Sequence, residues 1–575
     1  MTPAEILREL IKKDGKPERL LKQYEAFGFV GGDPVMMYLM EGFRKGGSYV
    51  DKWGVTIRYE IDAPGPMPYI TEETKVLKDI TKWKETVKAP DLSRFDDADW
   101  SIAQMISKDV HDSGKLTMEL MGTGIFEQCH YLMGFEDTLT NLYEHPAEMH
   151  ELIEYILEYR MRYAKLLIDH LHPDAILSHD DWGAKDALFM PEEVWREFFK
   201  EPYRKFYGYM KSQGVIVMHH ADSWCASITK DMAEIGIDIW QGVLPENNIP
   251  ELLEELDGSL TLMGGIGAAI DRSDSDEAEI RAYTERVLEE CAPLGHFIPC
   301  ITYGLPGTVY KHVDPVIDAV IEEYNQVVHL PRYHAQSSVH RILKKEQEKE
   351  NAVKTSKEEN NIIADISEAL RKGKRKKTLE LVTRALHENY DASVILNEGL
   401  VDGMNKLGND FSENKAFIPD MLMAAKCMNA ATELLKPELK GETESKGRVC
   451  IGTVKGDMHD IGKNLVKIMM EGAGFEVIDL GTDVSPEVFV ETAIEKKCDI
   501  ISCSALLTTT MDHMREVVQC AKERGIRDDV IIMIGGAPIT QAFCDEIGAD
   551  IYTDDAGAAA RAAAEAVRAG KKTVS

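Results

Sequence analysis

From the amino terminus to about residue 340, short apolar runs alternate with longer stretches whose apolar residues recur at helical spacing. The runs Leu116–Met121 (LTMELM), Ala175–Ser178 (AILS), Val215–Met218 (VIVM), Ile237–Trp240 (IDIW), Leu260–Met263 (LTLM) and Phe297–Pro299 (FIP) read as strands. Pro191–Gln213 reads as one of the helices between them, with Pro191 placed where a missing N–H is tolerated. Repeated βα units predict a parallel barrel or a doubly wound sheet, and a (β/α)8 TIM barrel is the reading adopted. Several runs end in polar or glycine-rich turns: Glu119, SHDDWG, HHADSW, GGIG and CITYG. Barrel enzymes collect their chemistry at the carboxyl ends of the strands, so these turns form a candidate site.

The pattern then changes twice. Residues 344–361 (KKEQEKENAVKTSKEENN) are almost wholly polar and read as a linker. Beyond it the pattern is helical from Ile362 to Leu435, seeding four helices rich in Met404, Met421, Met423 and Met428. Those methionines serve either as core packing or as a soft cap over a flat cofactor. From Val449 onward five strands, each followed by a helix, predict a flavodoxin-like doubly wound parallel sheet. The expected division is a barrel over 1–343, a linker over 344–361, a helical-bundle cap over 362–440 and a doubly wound domain over 447–575.

Composition narrows the function. Asp and Glu number 99 against 66 Lys and Arg, a formal charge of −33 over 575 residues. Such a surface repels nucleic-acid phosphates and anionic membranes, so neither is an expected partner. The 10 cysteines lack CxxC spacing, which points to a reducing compartment rather than a disulfide framework. The opening MTPAEILREL carries charges throughout, unlike a signal peptide, and no apolar run is long enough to span a bilayer. A cytoplasmic protein is expected.

One constellation in the last domain is specific. Gly456-Asp457-Met458-His459-Asp460-Ile461-Gly462 contains Asp-x-His-x-x-Gly. Ser504-Ala505-Leu506 follows after 41 intervening residues, and Gly535-Gly536 after 28 more. This three-part pattern resembles the cobalamin-binding domain of methionine synthase and the small corrinoid proteins of anaerobic methyltransferases. The resemblance implies a corrinoid whose cobalt takes His459 as its lower ligand, with Asp457 on the ring's second nitrogen and Thr510 continuing the relay. A carboxylate in that place fixes the imidazole and raises its basicity. It further implies that Gly462, Gly535 and Gly536 leave room for the nucleotide tail, and that Ser504 and Leu506 line its pocket. Thr508 and Thr509 are further polar candidates. The helices before it, above all Phe417–Ala425, resemble the methionine-rich cap of these proteins.

The first domain resembles the uroporphyrinogen decarboxylase superfamily, which includes methylcobamide methyltransferases. The resemblance rests on Tyr131–Leu139 (YLMGFEDTL), Asp180–Gly183 with Pro191, Val217–His219 and Phe297–Gly307. Its amino-terminal YEAFGFVGGDPVMMY lacks the arginine-rich substrate motif expected of the decarboxylase. Zinc-dependent members carry His-x-Cys after one strand and a distant second Cys. His219 and Cys300 match the outer positions, whereas Ala221 stands at the middle one. Zinc needs about four ligands, or three and an open position, so Glu119, Glu127, Asp181, His220, Asp222 or Cys225 would complete the set. His179, Asp181 and Trp182 would position a donor or protonate its leaving group.

Together the resemblances imply a fused corrinoid-dependent methyltransferase of one-carbon metabolism, similar to chloromethane-type fusions and O-demethylase components. The expected reaction moves a methyl group from a methoxylated compound or methyl halide to Co(I), for onward passage to tetrahydrofolate or a thiol. Asp181, His219 and Cys300 are the expected catalytic residues. The expected partners are a small methyl donor, an acceptor methyltransferase and a reductive activator. Two alternatives stay open: a methylcobamide-to-thiol transferase of the coenzyme M type, and a non-catalytic corrinoid carrier or sensor.

Overall fold

A computed structural model describes residues 1–59, 66–272, 274–301, 310–327, 362–412, 415–435, 438, 446–457, 461–506, 510–536, 538–553 and 556–569. Two compact units divide the chain: Met1–Phe43, Tyr49–Thr56 and Ile70–Thr355 in the first, Arg44–Ser48, Ile57–Tyr69 and Ser356–Ser575 in the second. The linker expected over 344–361 lies outside the described residues.

The first unit begins with helix α1 (Pro3–Leu10), opened by a reciprocal cap. Thr2 Oγ1 accepts from Glu5 N at 3.2 Å, and Glu5 returns a carboxylate to Thr2 N at 2.8 Å. Seven strands follow: β1 (Phe27–Phe29), β2 (Leu116–Met121), β3 (Ala175–His179), β4 (Ile216–His220), β5 (Ile239–Val243), β6 (Thr261–Ile266) and β7 (Phe297–Ile301). They pair in parallel, each with the next in chain order. That order has no reversal, so it is the winding of a barrel rather than of a doubly wound sheet.

The sheet curls around a core. Phe27, Met118, Leu177, Met218, Ile239, Met263, Ile298 and Cys300, drawn from all seven strands, share one buried cluster with Ile6, Leu7 and Leu10 of α1. Laid flat, seven strands would span about 29 Å between their edges. Instead Gln23, just before β1, reaches the Ile301 carbonyl of β7 at 3.5 Å. The amphipathic first helix thus plugs the amino-terminal end of the strands and leaves their carboxyl ends for chemistry.

From Ile362 the second unit carries helices α5 to α8, counted after the barrel helices α2 (Ile125–Met133), α3 (Pro146–Leu171) and α4 (Glu201–Ser212). They are α5 (Ile362–Arg371), α6 (Arg375–His387), α7 (Asp402–Ser412) and α8 (Ile418–Leu435). A π-helical turn over Ile395–Val401 runs into α7, so the four expected helices are present. Met404, Met421 and Met428 are buried and Met423 is half-buried, which accounts for three of the four methionines by packing.

Five parallel strands follow: β8 (Arg448–Thr453), β9 (Glu476–Asp479), β10 (Ile500–Ser504), β11 (Ile531–Gly535) and β12 (Ile551–Tyr552). Their spatial order is β9-β8-β10-β11-β12. This is the flavodoxin-like winding, and its direction reverses between β8 and β10, where such folds bind ligands.

Leu7 is fully buried in the plug. Leu7→Ala should cost about 3 kcal/mol of the barrel's stability. Urea unfolding followed by the tryptophan fluorescence of the first unit should register it, and an unshifted midpoint would deny α1 its role.

Candidate functional site

Strand alternation organises the barrel's carboxyl end. Met218 of β4 faces the interior, so His219 must face the surrounding helices and His220 must return inward. His219 is fully buried on that outer side: its Nδ1 lies 2.7 Å from the Tyr207 hydroxyl of α4, and its ring stacks on Trp182 at 4.1 Å. Burial, followed by the nearby His220 and His179, holds its basicity well below the usual histidine range.

On the inner side, His220 stacks against His179 of β3 with ring centroids 4.6 Å apart. His220 Nδ1 is hydrogen-bonded to Gln241 Oε1 of β5, and His179 Nδ1 to Glu127 Oε2 of α2 at 2.8 Å. A carboxamide oxygen only accepts, so His220 carries its proton on Nδ1 and leaves Nε2 open to a ligand. Asp181 follows in the loop after β3. Its Oδ2 is 4.0 Å from His179 Nε2, and its Oδ1 accepts from Asp222 N at 3.0 Å. One ligand atom from each of His179, Asp181 and His220 lies within 4.8 Å of the others, the one such group of three among the described residues.

The electrostatics fit a cation at this point. Burial would lower His179, but the Glu127 carboxylate overrides it and holds the imidazole raised. Glu127 is held low by the same pairing against its own desolvation, helped by Gly124 N, which donates to it at 3.0 Å. Burial lifts Asp181 to about 7. Burial and the His179 charge lower His220 to about 4. Carboxylates crowded beside an imidazole with an open nitrogen, each histidine braced through Nδ1, are donor and support types that can hold a divalent metal.

The other expected ligands lie elsewhere. Cys300 belongs to the interior cluster with the α1 plug, and burial pushes its thiol up. It is therefore on the opposite face of the sheet from His219, and the structure does not bring that pair together. Glu119 lies beside Asp33 and Tyr163, on the outer face shared with His219. Cys225 is buried against Ser223 Oγ at 3.3 Å. The pairings of Glu127 with His179 and of Gln241 with His220 were not foreseen. Alternation through the double histidine was the signal that separated the inner ring from the outer.

In the second unit, the loops after β8 and β10 meet at the switch point. Asp457 is fully buried, and its Oδ2 accepts from Leu506 N at 2.7 Å and from Thr510 Oγ1 at 2.8 Å. Asp483 Oδ1 accepts from Gly456 N at 2.8 Å, pinning the start of the same loop. Ser504 closes β10 beside Gly535 of β11. A Cβ on Gly462 would meet nothing within 4 Å, and one on Gly535 nothing nearer than 3.5 Å, so both face room that a ligand could occupy. Gly536 differs: its φ of +132° and a Cβ position 1.8 Å from the Ala505 carbonyl make it a requirement of the backbone. Leu506 is half exposed. His459, Thr508 and Thr509 lie outside the described residues.

Comparison with known proteins places these two sites in context. The B12 binding domain family matches residues 447–564, a second B12 binding domain family matches 362–436, and the uroporphyrinogen decarboxylase (URO-D) family matches 50–324. Dimethylamine corrinoid protein 2 of Methanosarcina acetivorans is 43% identical over 212 residues, covering 36% of this chain and 97% of that protein. Trimethylamine corrinoid protein 1 of the same organism is 44% identical over 204 residues, covering 35% and 94%. The methanol:cobalamin methyltransferase complex of Methanosarcina barkeri shares 27% identity over 37% of this chain and 83% of that one, with a TM-score of 0.35. No helix among the described residues is long and apolar enough to cross a membrane. The chain belongs to the corrinoid-protein family through its last third, takes cobalamin or a related corrinoid as cofactor, and carries a URO-D-type barrel ahead of that domain.

Proposed function

We propose that the barrel demethylates a small donor, a methoxylated compound or a methyl halide, and that the corrinoid on the chain's own carboxy-terminal domain receives the methyl group. Another enzyme, serving tetrahydrofolate or a thiol, would complete the transfer, and a reductive activator would keep the cofactor competent. The observation that carries this reading is the trio His179, Asp181 and His220, grouped within 4.8 Å at the carboxyl ends of barrel strands.

A divalent ion such as zinc, held by that trio, would supply Lewis acidity toward the donor's heteroatom. The chain's own residues prepare for this. Glu127 and Gln241 fix the two rings through Nδ1. Asp222 N fixes the Asp181 carboxylate, so both acids are present to balance the ion's charge. In the second domain, His459 would hold the cobalt of the corrinoid, which in its reduced Co(I) form supplies the nucleophile. Asp457, held by Leu506 N and Thr510, would orient that imidazole. Gly462 and Gly535 would admit the nucleotide tail.

The decisive experiment reduces the bound corrinoid and offers chloromethane, methoxyarenes, methylamines and methyl thiols in turn, following the corrinoid absorbance. A response to a methoxylated compound or methyl halide is expected, and a response to none of the panel would end the donor reading. His220→Ala and Asp181→Ala should slow the reaction about 100-fold or more, since a Lewis-acid contribution is worth several kcal/mol. Parent rates in both variants would remove the trio from the chemistry. Gly462→Trp should abolish corrinoid binding while the domain keeps its far-ultraviolet dichroism, whereas Gly536→Ala should cost stability before it costs binding. Tight corrinoid binding by Gly462→Trp would close the proposed tail slot. His459→Ala should lose the histidine-ligated corrinoid spectrum, and an unchanged spectrum would transfer the cobalt to another ligand.

A further inference from the structure

Asp180 lies between His179 and Asp181 but does not share their face. It is fully buried, and its carboxylate accepts four hydrogen bonds: Phe126 N at 3.0 Å, Glu127 N at 2.9 Å, Trp182 Nε1 at 3.1 Å and the Tyr203 hydroxyl at 2.5 Å. Two of these donors are the first-turn amides of α2, a helix of nine residues. A helix start ordinarily takes its cap from a Ser, Thr, Asp or Asn just before it. Here that place is Gly124, which has no side chain to offer.

The reason is steric. A Cβ on Gly124 would lie 2.1 Å from Asp180 Cβ and Cγ and 2.4 Å from Oδ1. Glycine at the helix start clears a slot, and a carboxylate from the neighbouring strand fills it and supplies the missing cap. The end of β3 therefore grips Glu127 twice. Asp180 holds its backbone amide, and His179, one residue earlier, meets its side chain at 2.8 Å.

We infer that Asp180 is the positioning residue of the barrel site, setting Glu127, and through it the ring of His179, from the outer side of the sheet. Trp182 and Tyr203 complete its surroundings, and Trp182 in turn stacks on His219, which is bonded to Tyr207. His219, matched by its pattern to a metal ligand, is on this account part of the support behind the site. The inference rests on the reading of His179, Asp181 and His220 as a metal site.

The test uses the full chain, stripped by chelator and titrated with zinc. Asp180→Asn places an amide where only an acceptor suits all four donors, and Gly124→Ala drives the carboxylate from its slot. Loss of an outer-shell partner costs about 10- to 100-fold in metal affinity, and both variants should show that loss with the corrinoid spectrum unchanged. Affinity within about twofold of the parent in both would overturn the inference. A crystal structure of Asp180→Asn reads the same question without metal. The 2.8 Å contact between Glu127 and His179 should open, and its retention would equally overturn the inference. If the parent chain takes up no zinc, the metal reading fails while this contact still decides Asp180. Should Asp180→Asn not fold, Tyr203→Phe removes one of the four bonds, and a graded loss of zinc affinity is expected; none would count against Asp180.

Discussion

Successive side chains of a β-strand leave on opposite faces, and the chemistry of this barrel depends on that alternation. Along β4 it sends Met218 inward to the plugged core, His219 outward to Tyr207 and Trp182, and His220 inward to His179. Along β3 and the loop after it, His179 and Asp181 come together with His220 while Asp180 turns away to cap α2. Two layers result from one rule. The inner layer gathers His179, Asp181 and His220, and the outer one holds Asp180 and His219 behind them.

Burial explains why so much bracing is present. An ion pair removed from water loses its hydration, and the attraction repays that only when the remaining valences are satisfied. Glu127 meets this condition with His179 on one side and Gly124 N on the other. Asp180 meets it with four donors. Asp181, lifted by burial, is what remains when the carboxylates outnumber the cations near it. A divalent ion would restore the balance, using the open Nε2 of His220 and displacing the second proton of His179.

The carboxy-terminal domain solves a different problem, that of admitting a large cofactor. Its sheet reverses direction between β8 and β10, the position at which such folds bind ligands. Asp457, after β8, reaches Leu506 and Thr510, after β10, and ties the two strand ends together. Its glycines divide the labour: Gly462 and Gly535 keep space, whereas Gly536 permits a backbone turn that no side chain would allow. Joining such a domain to a barrel on one chain raises the effective concentration of each for the other.

Local pattern was enough for the fold class and for the cofactor. Period-two and period-3.6 runs named the elements, and the Asp-x-His-x-x-Gly, Ser-x-Leu and Gly-Gly spacing identified the corrinoid domain, because a flat cofactor with a long tail demands those residue types at fixed loop positions. The expected strands ended too early, at Met218 and Trp240, since polar residues such as His219, His220 and Gln241 do not look like strand residues until they are seen buried. For the same reason Asp181 and His220 were legible only among several possible ligands, and His179 only as a residue that positions a donor or protonates its leaving group. His219 and Cys300 satisfied a family spacing, yet a spacing says nothing about which face of a curled sheet a residue occupies. Only the closing of the sheet, with α1 at one end and His179, Asp181 and His220 gathered at the other, decided which side chains meet.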